Sequence, residues 1–265
     1  MDESGPTLEP LFDFEHMPSS LSPTSSTRPY AKLNVLTERT YARLKCALIL
    51  GQLAPGERFT VRMLAQRFGT SITPVRNALS QLAAAEALHQ NRRSGIIVPL
   101  LNQPELDEML KLRLALEGLA FSIATPRYRT SDWREFKALH ADICNASQRD
   151  YPVVFAAAVW ALRLAILKLD QASLLAMDVS RIWCRVGPTF TQMAADMNRR
   201  RCITRHLERM IEAIGNRNYE KARSCVVDEI TVGMAPPTYA AASPTVLRPH
   251  PASSSENDRN NLLAS

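Results

Sequence analysis

Apolar residues recur at helical spacing along most of the chain, and short polar or Gly/Pro interruptions cut the pattern into segments. Tyr41, Leu44, Leu48 and Ile49 share one face of a helix expected over Thr37–Leu50, which Gly51 ends. Pro55-Gly56 marks a turn. Thr60 is placed to cap a second helix over Val61–Phe68, closed by Gly69, and Ser71 to cap a third, with Pro74 inside its first turn. In that third helix Val75, Ala78, Leu79 and Leu82 follow the i, i+3, i+4, i+7 rule of a core face. Ala87–Val98 then reads as two short strands around the tip Asn91-Arg92-Arg93-Ser94-Gly95. Three helices followed by a hairpin make a winged helix-turn-helix.

Beyond Pro104 the pattern stays helical as far as Met234, with little Gly and no β alternation. A first long helix is expected over Pro104–Thr125, closed by Pro126, and a second from a Ser131 cap to about Ser147. A third opens at Pro152, and a fourth runs from Gln171 to about Arg185, where Gly187-Pro188 predicts a break. A further helix through Phe190–Asn198 and a last pair, Arg201–Ile214 and Tyr219 to about Val232, complete an antiparallel bundle of six or seven helices. The fold class expected is therefore mostly α, an N-terminal winged helix-turn-helix followed by an all-α antiparallel bundle. Residues 1–33 and 235–265 are rich in Ser, Pro and Thr and are expected to be disordered tails around a module at 34–100 and a bundle at 101–234.

Charge changes the picture most in the first module. Between Asn34 and Leu100 there are nine basic and three acidic residues, an excess that equals the formal charge of +6 on the whole chain. Such a field attracts a phosphate backbone without reading sequence. Opposite the core face of the third helix, Thr73, Arg76, Asn77 and Ser80 form a row in which every side chain can hydrogen-bond and none is acidic. Arg suits guanine edges or phosphates, Asn suits adenine, and hydroxyls suit either. Arg92 and Arg93 at the hairpin tip can reach phosphate or minor groove, and Gly95 lets backbone approach a partner closely. The partner expected is a double-stranded DNA operator.

Other chemistry is sparse. The sequence shows no nucleophile triad, P-loop or dinucleotide fingerprint, so no enzyme, catalytic residue or cofactor is expected. Five scattered cysteines without a CxxC pair fit reduced thiols in a cytoplasmic protein. The most apolar stretch, Val153–Leu169, contains Arg163 and Lys168 and is read as a buried helix, so no membrane partner is expected.

The first module resembles the DNA-binding domain of GntR-type bacterial transcription regulators. The resemblance rests on Gly51-Gln52-Leu53, Pro55-Gly56-Glu57-Arg58, Leu64-Ala65-Gln66-Arg67-Phe68-Gly69, Ser71, Thr73-Pro74-Val75-Arg76, Ala78-Leu79, Leu82 and Gly95. It implies that Arg62, Ser71, Thr73, Arg76 and Gly95 sit at DNA-contacting positions. Ile72 departs from it, since many relatives carry Arg there, and Glu86-Ala87 stands where relatives usually have Gly-Leu. The bundle resembles the FCD domain of the FadR subfamily through Leu112–Ala120 and Ile211–Ala222. The resemblance implies a sequence-specific regulator, more often a repressor, acting as a homodimer.

Many FCD domains also hold a divalent metal through Asp-x3-His on one helix and two further histidines. The matching positions here are Val159, Arg163, Leu207 and Glu229, so no metal is expected; a one-residue slip would instead align His206 and Asp228. Arg163, Glu229 and His206 are then the candidate effector residues. Two readings stay open. Arg163 and Glu229 form a structural ion pair, leaving a bundle that only dimerises. Alternatively, the guanidinium receives a small carboxylate effector.

Overall fold

The computed structural model describes residues 29–91, 95–170 and 174–235. The two expected tails fall outside these residues, apart from 29–33 and residue 235. In chain order the first module contains α1 (Pro29–Ile49), β1 (Arg58–Phe59), α2 (Val61–Arg67), α3 (Ile72–Ala84), β2 (His89–Asn91) and β3 (Gly95–Ile97). Glycines end the helices where the sequence demands it: Gly51 and Gly69 adopt φ of 62° and 60°. Thr60 caps α2, its hydroxyl accepting the Met63 amide at 3.2 Å. Leu44, Leu48, Val75, Ala78, Leu79 and Leu82 are fully buried, and α1 packs on α3.

Two features differ from the expectation. Helix α1 begins at Pro29, eight residues before Thr37, because Pro fits the first turn of a helix. A third strand, β1, lies against β3, with Arg58 opposite Ile97 and Phe59 opposite Ile96. Two residues are too few to show alternation in the sequence.

The bundle is built from α4 (Gln103–Ala124), α5 (Trp133–Ser147), α6 (Pro152–Leu167), α7 (Leu174–Met193), α8 (Met197–Gly215) and α9 (Tyr219–Met234). A capping box starts α4: the Asn102 side chain accepts the Glu105 amide at 3.0 Å, and the Glu105 carboxylate accepts the Asn102 amide at 2.8 Å. Residues 152–170, which include α6, are long and apolar enough to cross a membrane by length and composition. Within α6, Phe155, Ala156, Val159, Leu162 and Ile166 are buried in the bundle. Arg199 and Arg200 close one end of the bundle. Arg200, fully buried, donates to the Ala194 carbonyl at 2.8 Å and the Ser147 carbonyl at 3.3 Å, while Arg199 donates to the Val232 and Ala235 carbonyls.

Helix α7 corrects the expected break, since it runs without interruption through Gly187-Pro188. An interior proline costs a helix about 3 kcal/mol, so packing must offset it. The packing is unusually close: Val186 to Phe190 are all buried, and a Cβ at Gly187 would overlap the carbonyl oxygens of Leu48 and Ile49 in α1. One turn on, Thr191 donates to the Leu50 carbonyl at 3.3 Å and lies against Gly51. Helix α8 accordingly starts at Met197, where Asp196 caps it, rather than at Arg201. The start expected at Gln171 lies outside the described residues.

This seam between α1 and α7 joins the first module to the bundle. It is supplemented by Arg185, which donates to the Glu86 carboxylate at 3.2 Å. Glu86 occupies the left-handed region at φ 55°, where glycine would be unstrained. That explains the glycine of the resembling sequences, and the ion pair to α7 is what the carboxylate adds.

Replacing Gly187 by Ala forces α1 and α7 apart. Overpacking of this kind costs about 1–3 kcal/mol, so calorimetry should show a Tm lowered by about 3–10 °C. Gly118→Ala, where a Cβ meets nothing within 4 Å, should raise stability by about 0.5–1 kcal/mol.

Candidate nucleic-acid interface and bundle core

Helix α3 separates its two faces cleanly. Pro74, Val75, Ala78, Leu79 and Leu82 are buried, while Ser71, Thr73, Arg76, Asn77 and Ser80 are exposed. The row is continuous because 73, 76, 77 and 80 are spaced three and four apart. Ser71 occupies the N-cap position but its side chain makes no capping hydrogen bond, and no acidic residue stands in the first turn. The amides and the dipole at this helix start therefore face outward without a local anion. Arg62 is exposed in the first turn of α2.

Other basic residues of the module do structural work. Arg43 donates to the Phe68 carbonyl at 3.2 Å and stacks 4.6 Å from the Phe68 ring centre, and partial burial lowers its pKa. It holds the end of α2 rather than facing outward. Gly95 has a local reason of its own. At φ 82°, a Cβ there would lie 3.0 Å from the Phe59 carbonyl oxygen, so the close approach at this position is to β1. Arg92 and Arg93 lie outside the described residues.

In the bundle, four charged side chains meet in the core. Arg113 and Glu117 come from α4, Arg163 from α6 and Glu229 from α9, and none is more than 2 % exposed. Arg113 Nε donates to Glu117 Oε1 at 2.6 Å. Arg163 bridges the two carboxylates, donating through Nη1 to Glu117 Oε2 and through Nη2 to Glu229 Oε2, the latter at 2.6 Å. Trp183 of α7 donates to Glu117 Oε1 at 3.0 Å, with the Arg113 and Arg163 guanidinium carbons 4.5 and 5.0 Å from its ring centre. Phe190 packs edge-on to Trp183 at 5.2 Å.

Burial alone would raise the Glu117 pKa, but Arg113 and Arg163 beside it outweigh that and hold it below its ordinary value. Burial alone would lower that of Arg163, and Glu117 with Glu229 raise it instead. Two cations and two anions leave the cluster formally neutral. Among the described residues, Arg113 Nη1, Arg163 Nε and Glu229 Oε1 have no hydrogen-bond partner.

The metal-ligand positions implied by the FCD resemblance do not fit a metal. Val159 and Leu207 are buried and have no ligating atom, Arg163 is a cation, and Glu229 is committed to it. Among the described residues no group of three His, Cys, Asp or Glu side chains could hold an ion. His206 stands apart from Arg163 and Glu229. Its Nδ1 lies 3.9 Å from a carboxylate oxygen of Asp228, which is half exposed, so the slipped alignment leads to the outer face of α8 and α9. His140 reaches the Thr204 carbonyl at 3.4 Å and links α5 to α8.

Sequence reasoning missed Arg113, Glu117 and Trp183 as members of the cluster. The available clue was a pair of opposite charges four apart within the apolar run Leu112–Ala120.

Comparison with known proteins agrees with this geometry. Residues 36–98 match the model of bacterial regulatory proteins of the gntR family, and residues 108–231 match the FCD domain. The chain is 28% identical over 196 residues to the HTH-type transcriptional regulator McbR of Escherichia coli (strain K12), covering 73% of this chain and 88% of McbR. The HTH-type transcriptional repressor GlaR of the same strain is 30% identical over 87 residues, which covers 33% of this chain and 40% of GlaR. The solved structure of E. coli McbR/YncC superposes with a TM-score of 0.69 at 27% identity, covering 74% of this chain and 93% of that one. A putative GntR regulator from Rhodococcus sp. RHA1 shares the fold, with a TM-score of 0.62 at 16% identity over 75% of this chain and 95% of its own.

Removing one partner from a buried pair strands the other, at a cost of about 3–5 kcal/mol. Arg163→Met should therefore lower unfolding stability by about that amount in urea titrations. Glu117 also predicts the pH dependence. Because its folded pKa is depressed, its contribution is complete above the ordinary value of 4.5 and is lost as pH falls through the folded value. Glu117→Gln should flatten the acid limb of the stability curve in that window.

Proposed function

Because the chain belongs to the gntR family of bacterial regulatory proteins and carries an FCD domain, we propose that it represses transcription in the cytoplasm as an operator-bound homodimer. The observation that carries this reading is the exposed, acid-free row Thr73, Arg76, Asn77 and Ser80 on α3, in a module that holds the chain's whole excess of positive charge. Two copies of such a helix, spaced by a dimer, read two half-sites about one DNA turn apart. Arg76 and Asn77 would read base edges, with Thr73 and Ser80 assisting. Arg62, Ser71 and the wing residues Arg92, Arg93 and Gly95 would fix the module on phosphates or the minor groove. The relative GlaR is a repressor by its name, which supports the sense of regulation proposed here.

For the bundle, the charge balance favours a scaffold that dimerises without a metal or an anionic effector. A small carboxylate arriving at Arg163 would have to displace Glu117 or Glu229 from a guanidinium already bound to both. Effector control has one observation in its favour. Helix α7 carries Trp183 in the cluster and Gly187 and Thr191 at the seam with α1, so a change in the cluster has a direct route to the DNA-binding module. A ligand would use that route only through different affinities for two arrangements of α7.

DNA binding tests the main reading. Arg76→Ala should weaken binding to a selected operator by about tenfold or more and relax base preference at one position. Arg62→Ala should weaken binding to all sequences evenly and reduce the salt slope by about one. On the bundle, EDTA, divalent metals and small carboxylates should leave the Tm and operator affinity unchanged. A carboxylate-dependent Tm rise that disappears in Arg163→Ala would establish effector control instead.

A further inference from the structure

At the start of α3 the DNA-facing surface contains one large apolar side chain. Ile72 is the first residue of the helix and is 38% exposed, next to the polar row rather than the core. Neither the fold nor the helix calls for isoleucine here. The core face of α3 is made by Pro74, Val75, Ala78, Leu79 and Leu82. A β-branched residue also has lower helix propensity than the straight-chain residues common on surfaces. Ile72 lies four residues before Arg76 and adjoins Thr73, so it extends the same exposed strip by one residue towards the helix start. Side chains on a helix lean towards its N-terminus, which carries Ile72 beyond the end of the row.

We propose that Ile72 reads a thymine by packing on its C5-methyl group in the major groove of the operator. This inference rests on the DNA-binding reading above and adds a base to it. The occupant follows from chemistry. The surroundings of Ile72 are hydrogen-bond donors and positive charge, which suit phosphates and base edges. Within the major groove the one apolar group a base offers is the thymine methyl, which cytosine lacks. A hydrocarbon side chain there gains by covering that methyl and loses by facing the cytosine amino group, so it selects thymine. Isoleucine makes no hydrogen bond, so the choice comes from apolar contact alone. Ile72 and Arg76 are four residues, about 6 Å of helix rise, apart, and bases along one strand rise by about 3.4 Å. The thymine should therefore lie about one or two base pairs from the base that Arg76 reads.

The test begins with selection of duplexes from a random pool by the full-length protein, followed by titration of the winning site. Each thymine is then replaced singly by uracil, which removes only the methyl. A single uracil, placed in one half-site, should weaken wild-type binding by about threefold to fivefold, the worth of one buried methyl. Ile72→Ala, which removes the contact in both half-sites of the dimer, should weaken binding to the thymine site by about tenfold to twenty-fivefold and show no further loss with uracil. Because Ile72 is on the surface, the variant should keep the wild-type Tm and its affinity for a random duplex, which separates lost readout from lost folding. The proposal is overturned if no uracil substitution weakens wild-type binding, or if Ile72→Ala responds to uracil as the wild type does. Failure of the pool to enrich any sequence would overturn the operator-binding reading itself, and is a distinct result.

Discussion

A guanidinium cannot stay in an apolar core unless carboxylates meet it, and the bundle of this protein is arranged around that requirement. Arg163 on α6 is satisfied only while Glu117 on α4 and Glu229 on α9 are both in place. Glu117 in turn is shared with Arg113 and with the indole N–H of Trp183 on α7. Four helices are thereby held in one register by directional bonds, where apolar packing alone would tolerate sliding. The net gain from such a cluster over a hydrophobic filling is small, since desolvation of each ion costs several kcal/mol. What the geometry shows is that α4, α6, α7 and α9 are tied together at one buried point.

The cluster also decides what the domain can do. Related domains with a metal centre present neutral imidazoles and a carboxylate to an ion. Here the same region holds its own cation, already neutralised. Helix α7 is the element that joins the core to the first module. That helix contributes Trp183 to the cluster, then passes Gly187-Pro188 at a distance from α1 that no Cβ would permit. The recognition helix α3 packs on α1. Core, seam and the helix proposed to read DNA therefore form one contiguous series of packed elements.

Much of the first module was legible because its determinants are local. Caps, glycine stops and the two faces of α3 lie within a few residues of one another, and the polar row could be read directly from its spacing. The bundle was legible as helices but less so in its joints. Gly187-Pro188 predicts a break by local rules, and only contact with α1, more than a hundred residues earlier in the chain, keeps α7 continuous. The Asn102 capping box was present in the sequence but needed the helix start to be recognised. The ionic cluster joins residues 46 and 66 positions apart, and no local pattern announces which charges meet. The pair Arg163 and Glu229 could be anticipated from the resemblance, whereas Arg113 and Glu117 showed only as opposite charges four apart in an apolar run, which does not say what else they meet.

The most direct measurement is equilibrium binding of the full-length protein to its selected duplex and to a scrambled duplex, in the same salt and in the presence of EDTA. The account predicts a preference of about a thousandfold or more for the selected site, unchanged by chelation. Equal binding to both duplexes, or a preference that EDTA abolishes, would contradict it.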